Sequence, residues 1–180
     1  IPVGPWRGVN TNQNGIFMEC FMDECAKAAG QDPVKFRRAV MQNHPKHLGV
    51  LDAAAKKADW DKPLPAGTFR GVAQFMGYAS YSACVAEVTV QNNVVKVTRL
   101  VFALNSGHVV NPYLTREQIE GSVAMALGAI FLPEISVEQG RIKQQNLDTY
   151  PLLKLSATPR IETVLVPTYD FWGGVGEPTI

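Results

Sequence analysis

The sequence is poor in charge and poor in cysteine. Charged residues make up 18% of the chain, and the formal net charge is +1. So even a balance provides no electrostatic footprint for nucleic acid and no basic patch for an anionic membrane surface. The three cysteines are Cys20, Cys25 and Cys84. Cys20 and Cys25 are too far apart for a CxxC redox motif, an odd count argues against a closed disulfide framework, and no cluster-ligand set is present. Buried thiols acting as small hydrophobes are expected instead. The histidines His44, His47 and His108 do not pair with cysteine or with each other at zinc-site spacing; His44 and His47 flank Pro45 at the expected start of a helix. No run of 18 apolar residues exists to cross a bilayer as a helix. No internal repeat or low-complexity tract is visible. The chain opens Ile1-Pro2-Val3-Gly4-Pro5 without an initiator Met or a charged leader, and closes on Pro178-Thr179-Ile180. It reads as a piece of a longer or processed polypeptide.

What is present is an ordinary apolar fraction, 46%, in 180 residues, enough to bury a sizeable core. Turn-rich residues 1–11 hold Trp6 and Arg7 between glycines. These residues read either as an anchor for the loop or as part of a pocket, with Arg7 holding an anion or a carbonyl. Asn12 or Asn14 caps an expected helix to about Ala29, stopped by Gly30. Its Ile16, Phe17, Phe21 and Cys25 recur at helical spacing and predict a buried face, while Glu19 and Asp23 predict a solvated acidic one. Asp32-Pro33 opens a second helix, with Arg37 and Arg38 read as solvent-facing. A third spans about Pro45–Ala58, with Leu48, Leu51, Ala54 and Ala55 inward. The Pro/Gly loop from Asp61 to Gly67 is the best internal boundary. It separates a loop-plus-helical segment, 1–66, from a strand-rich segment, 67–180, within one incomplete domain.

Strands are expected at 68–76, 79–90 and 94–104, the last two joined by a hairpin turn at Gln91-Asn92-Asn93. A loop from Asn105 to Pro112 leads to a helix over 115–131, where Thr115 and Gln118 have capping-box spacing. Gly121, Ala124 and Gly128 form a small-residue stripe that admits close approach of a neighbouring helix or of a ligand. Short strands are expected at 134–137 and 141–144, then at 152–155 and 161–166. The fold class is thus α+β: a helical first third, then a mixed or antiparallel sheet with one long packed helix.

The last loop, Trp172-Gly173-Gly174-Val175-Gly176-Glu177-Pro178, carries the clearest chemical signal. Glycines permit close backbone approach and unusual φ, and Pro178 restricts Glu177 to extended conformations. Such a loop can aim one carboxylate at a fixed spot; a surface turn with a solvated Glu is the alternative.

Several segments taken in order resemble one family. They are Gly4-Pro5-Trp6-Arg7-Gly8-Val9, Glu19 to Glu24, Gly30-Gln31-Asp32-Pro33 with Phe36-Arg37, Val85-Ala86-Glu87-Val88, Asn111-Pro112, Gln118-Ile119-Glu120-Gly121, Gly128, Asn146 with Tyr150, and Gly173 to Pro178. Together they resemble the C-terminal part of the molybdenum-binding large subunit of the xanthine oxidase/aldehyde oxidase family. The branch is that of isoquinoline 1-oxidoreductase and bacterial molybdopterin aldehyde dehydrogenases. Asn105-Ser106-Gly107 departs from the family's Asp-x-Gly turn.

The resemblance implies a part of a larger molybdopterin-binding domain. The implied cofactor is molybdopterin with molybdenum, in its cytosine dinucleotide form, with the metal held by the pterin and not directly by side chains. It implies Glu177 as the catalytic base; Trp6, Arg7, Gly8, Gln118, Gly121 and Gly176 as cofactor-proximal; and Trp6, Gly174 and Val175 beside the substrate. The implied reaction is oxidation of an aldehyde, or hydroxylation of an N-heterocycle, with water as oxygen source. The implied partners are the rest of the large subunit, a small iron–sulfur subunit carrying 2Fe–2S clusters and, among candidate acceptors, a cytochrome c; nucleic acid is not among them. Periplasmic or membrane-associated placement is favoured over cytoplasmic. A scaffold that keeps the fold without cofactor is the alternative function.

Overall fold

The structure, a computed structural model, describes residues 4–132 and 134–180. The first three residues of the opening turn-rich segment, and Pro133 before the expected strand at 134–137, lie outside them.

Elements run in the order α1 (Thr11–Ala28), α2 (Pro33–Val40), α3 (Pro45–Lys57), β1 (Thr68–Gly77), β2 (Ser80–Gln91), β3 (Val94–Asn105), α4 (Pro112–Phe131), β4 (Val137–Glu138), β5 (Arg141–Ile142) and β6 (Arg160–Leu165). The main sheet has the order β1-β2-β3-β6. Its first three strands are antiparallel, and β6 joins β3 in parallel after the α4 crossover. This is the expected α+β fold with a mixed sheet and one long packed helix.

Both faces of the sheet are covered. On one, α3 sets Val50, Leu51, Ala54 and Ala55 against Val72, Ala83, Val85, Val101 and Ala103. On the other, Ile119, Val123 and Leu127 of α4 meet Leu100, Phe102 and Leu104. The second half of β3 is therefore buried residue after residue, as a strand between two helical layers must be. Asn92 and Asn93 take φ of 50° and 63°, the left-handed pair that a tight hairpin requires.

Several local expectations are corrected. Asn111, not Thr115, caps α4: its Oδ1 accepts from the N–H groups of Tyr113 and Leu114, and Pro112 takes the first helical position. Neither Asn12 nor Asn14 caps α1; Asn10 stands at that position without a side-chain bond. Residues 152–154 are not a strand, and Leu155–Ala157 form a single 3-10 turn. The pair β4–β5 is shorter than expected. Cys20 is exposed, and Cys25 and Cys84 are half-buried; desolvation pushes the Cys84 thiol up to about 12, which leaves it inert.

The largest correction concerns α1. Its apolar residues Ile16, Phe17 and Phe21 are all more than half exposed, and Glu19 is buried instead. The cause is Arg37, a side chain with no solvent exposure. Its Nε donates to Glu19 Oε2 at 3.0 Å and its Nη1 to Asp23 Oδ1 at 2.6 Å. Glu19 Oε2 also accepts from Gln74 N of β1 at 2.7 Å. One carboxylate thus ties α1 to α2 and to the sheet. Burial raises the proton affinity of Glu19, and the Arg37 charge opposes that rise.

Removing one partner of such a pair strands a buried charge, at a cost of about 3–5 kcal/mol. Arg37→Met should therefore lower the free energy of chemical denaturation by that amount. The double variant Arg37→Met/Glu19→Leu should recover most of it, because the one charge left without its partner, Asp23, is half-exposed and solvated.

Glu162 on β6 shows the opposite shift. It accepts from Arg99 Nε at 2.6 Å and lies near Lys57 and Arg160; the Arg99 hydrogen bond, above all, holds its carboxyl below the ordinary 4.5. The folded carboxyl releases its proton more readily than the unfolded one. This contribution is whole above the unfolded value and is lost as pH falls through the folded value. Unfolding midpoints measured from about pH 6 to about pH 3 should fall less steeply in Glu162→Gln than in the parent protein.

Candidate functional site

Three segments far apart in sequence converge at one end of the sheet: the loop before α1, the first half of α4, and the last loop of the chain. The first turn closes through Val9 N donating to Trp6 O at 2.8 Å. Gly8 sits at φ +86°, where a Cβ would stand 2.0 Å from Asn12 Oδ1; glycine is required there on both counts. Asn12 Nδ2 donates to Arg7 O at 2.8 Å, which seats the loop on the start of α1.

The closing loop is tied down at every second or third residue. Gly107 and Trp172 form a bridge, His108 N donates to Phe171 O, and Gly173 N donates to Ser106 O. The Trp172 indole stacks on His108, with ring centres 4.2 Å apart. Gly174 N donates to Tyr78 O, and Ser80 Oγ donates to Gly174 O at 2.6 Å. Beyond Glu177, Ser82 Oγ donates to Pro178 O, and the hydroxyls of Ser122 and Thr179 share a hydrogen bond at 2.7 Å. Pro178 and Thr179 are buried. Glu177 is therefore held from both sides.

Arg7 joins the three segments. Its Nε donates to Gly176 O at 2.5 Å. Its Nη2 donates to Gln118 O at 2.9 Å and to Gln118 Oε1 at 3.1 Å. Gly8 N donates to Glu177 Oε1 at 3.2 Å. Burial lowers the proton affinity of Arg7, and the nearby Glu177 charge works against that. Gly121, exposed on α4, faces this guanidinium: a Cβ there would stand 3.5 Å from Arg7 Nη1, and one on Gly176 would stand 3.3 Å from Gln118 Oε1. The first glycine of the small-residue stripe thus meets an arginine.

The structure brings Arg7, Gly8, Gln118, Gly121, Gly176 and Glu177 into one cluster. Trp6 and Glu177 both line a cavity of about 470 Å³ whose walls include Ile16, Phe75, Leu127 and Ile130. Gly174 lies exposed on the hairpin side, and Val175 turns into the core beneath α4. Sequence reasoning missed Tyr78, Ser80, Ser82, Ser122 and Thr179. The hydroxyls lie on a strand, a helix and the final loop with nothing local to mark them. Tyr78 occupies a turn that lacks the usual Gly or Asn. Among the described residues, no group of three or more His, Cys, Asp or Glu side chains is placed to hold a metal ion.

A family model described as a molybdopterin cofactor-binding domain matches residues 18–159. The chain belongs to this family. It is 30% identical over 177 residues to the beta chain of isoquinoline 1-oxidoreductase from Brevundimonas diminuta, an alignment covering 95% of this chain and 22% of that protein. It is 28% identical over 180 residues to a nicotinate dehydrogenase subunit from Pseudomonas putida, covering 89% of this chain and 15% of that one. The chain thus spans less than a quarter of the length of these relatives. Among solved structures, the aldehyde oxidoreductase of Desulfovibrio gigas superposes with a TM-score of 0.65 over 97% of this chain and 38% of its own, at 14% identity. Quinoline 2-oxidoreductase of Pseudomonas putida 86 does so with a TM-score of 0.51 over 56% of this chain and 14% of its own, at 22% identity. Both are likenesses of fold. Within the family match lie Gln118 and Gly121; Arg7 and Glu177 flank it.

The residues present suit one edge of a pterin-like group. Gln118 spends its amide oxygen on Arg7, so its NH2 remains a donor of the kind that pterin oxygens and ring nitrogens accept. The glycine at 121 leaves the adjoining surface of α4 without a side chain.

The packing of the closing loop leads to a stability prediction. A Cβ on Gly173 would stand 2.1 Å from Ser80 Oγ and 3.0 Å from Ala79 O. Gly173→Ala must therefore displace the loop or the β1–β2 turn, at a cost of about 1–3 kcal/mol. Denaturation should register that loss, whereas Gly140→Ala, where only φ and no neighbour opposes a Cβ, should leave the contacts of the Glu177 loop intact by amide hydrogen exchange.

Proposed function

We propose that this chain is the part of a molybdenum hydroxylase large subunit that supplies the base, and that the intact enzyme oxidises aldehydes or hydroxylates N-heterocycles. The observation that carries the reading is the Arg7 cluster: Glu177 is fixed through Gly8 N beside an arginine that also grips Gln118 and Gly176. The names of the relatives, one acting on isoquinoline and one on nicotinate, support an electron-poor carbon next to nitrogen as one substrate class.

When bound, the molybdenum cofactor supplies two-electron oxidation with water as the oxygen source. The cytosine dinucleotide form, and iron–sulfur clusters on a partner subunit as the route for electrons, belong to this proposal. Gln118 and Arg7 bind and orient the pterin edge. Glu177 accepts the proton as the new carbon–oxygen bond forms. Gly8 N holds one carboxylate oxygen, which leaves the other free to face the reacting centre. The apolar walls of the cavity beside Glu177 suit the flat face of a planar substrate. Ile16, Phe17 and Phe21, exposed on α1, together with Ile130 and Phe131 at the end of α4, form an apolar surface beside that cavity. This surface fits coverage by the rest of the large subunit.

Glu177→Gln in the intact assembly should lower kcat by roughly 10²–10⁴, the range expected for loss of a general base, and leave molybdenum content unchanged. Near-normal turnover would remove Glu177 from the role of base. Absence of molybdenum and pterin from the native assembly would favour a scaffold instead.

A further inference from the structure

After Glu177 the chain turns back on itself. Ile180 N donates to Glu177 O at 3.3 Å, and Pro178 takes the second position of this turn, which its fixed φ suits. Thr179 follows in the third position, so its seat and the Glu177 backbone move together. That seat is on α4. The Thr179 and Ser122 hydroxyls lie 2.7 Å apart, and both residues are buried. Ser122 Oγ also donates to Ile119 O at 2.7 Å. A hydroxyl has one proton, so the Ser122 proton is spent on that carbonyl and Thr179 is the donor within the pair. The bonds thus run from Thr179 to Ser122 to the backbone of α4. Ser82 Oγ of β2 adds a further hold, donating to Pro178 O at 2.7 Å.

Gln118 stands one helical turn before Ser122. On the other side of Glu177, Arg7 Nε donates to Gly176 O while its Nη2 donates to Gln118. One turn of α4 therefore grips the loop twice, just before Glu177 and two residues after it. A segment held at one point can pivot; a segment held on both sides cannot. Stability alone does not call for hydroxyls here. Ala and Val would fill the two places with no polar atom to satisfy, and replacing both partners of a buried hydrogen bond by apolar groups of like shape is nearly neutral. What the hydroxyls add is direction, since a hydrogen bond prescribes distance and angle where an apolar contact lets surfaces slide.

We propose that Thr179, acting through Ser122, is a positioning residue that fixes the place of Glu177 relative to Gln118. This rests on the reading of Glu177 as the base. A displacement of about 1 Å in a reacting group can cost about 100-fold in rate, so a hold two residues away is close enough to matter.

The test uses the intact, cofactor-loaded assembly in four forms: parent, Thr179→Val, Thr179→Ser and Glu177→Gln. Valine keeps the shape of a side chain that also lines the cavity, and Ser122 keeps its bond to Ile119 O, so no buried donor is stranded. In Thr179→Val, kcat should fall by roughly 10- to 100-fold, with KM and molybdenum content at their parental values. Thr179→Ser, which keeps the donor, should restore kcat. The second readout needs no turnover. The Gly8 amide, which donates to Glu177 Oε1, should exchange its hydrogen faster in Thr179→Val than in the parent or in Thr179→Ser. Parental kcat in Thr179→Val, with Glu177→Gln inactive, overturns the proposal and leaves Glu177 as base. A loss that Thr179→Ser shares, or that tracks a loss of molybdenum, overturns it too, because packing and not direction is then at work. Unchanged exchange at Gly8 overturns it whatever the kinetics show. Full activity in Glu177→Gln removes the base assignment, and with it the proposal.

Discussion

One guanidinium holds the site together. Arg7 binds carbonyl oxygens from α4 and from the closing loop, joining two segments that the sheet otherwise positions separately. A lysine could not replace it, because three acceptors in a fixed fan require the planar fork of an arginine. The glycines around it stand under unequal constraint. At 176 a Cβ would crowd Gln118 Oε1 at 3.3 Å, while at 121 one would meet Arg7 Nη1 at 3.5 Å, in ordinary contact. At Gly8 the turn needs positive φ so that its N–H points at Glu177.

The fold class, the order of helices and strands and the two-asparagine hairpin are legible in the sequence because they rest on local signals: hydrophobic period, Pro at a first helical position, Asn in a left-handed turn. The members of the Arg7 cluster are legible as residues but not as a cluster. What names them is the order of motifs along the chain, a resemblance and not a geometry. The serine and threonine hydroxyls that anchor the closing loop are invisible there, since each partner is close to a hundred residues away or lies on a different element. Thr115 has capping-box spacing yet lies inside the helix, whereas Asn111 followed by Pro112 is a helix start of the same kind as Asp32 followed by Pro33.

The expectation for α1 fails for an instructive reason. Helical spacing of Ile16, Phe17 and Phe21 says that one face prefers an apolar neighbour. It does not say that the neighbour belongs to these 180 residues. Within them the helix is held by its acids, through Arg37 and Gln74. Its apolar side remains open next to the cavity that contains Glu177. Among the described residues nothing covers this apolar side, in a chain spanning under a quarter of its relatives' length.

The parallel pairing of β6 with β3 has a consequence for the order in which the molecule comes together. Arg99 meets Arg160 across that pairing, so a loop containing all of α4 must close before the sheet is complete. Contacts between positions so distant form late, because the chain must give up the freedom of the intervening segment first. The clasp between Arg7 and Gly176 spans almost the whole sequence and comes later still. During synthesis the helices and the antiparallel meander can mature as they emerge, while Glu177 finds its seat only after translation has passed it. A chain whose sheet is out of register would leave Arg7, Gln118 and Glu177 apart, because each rides on a different element.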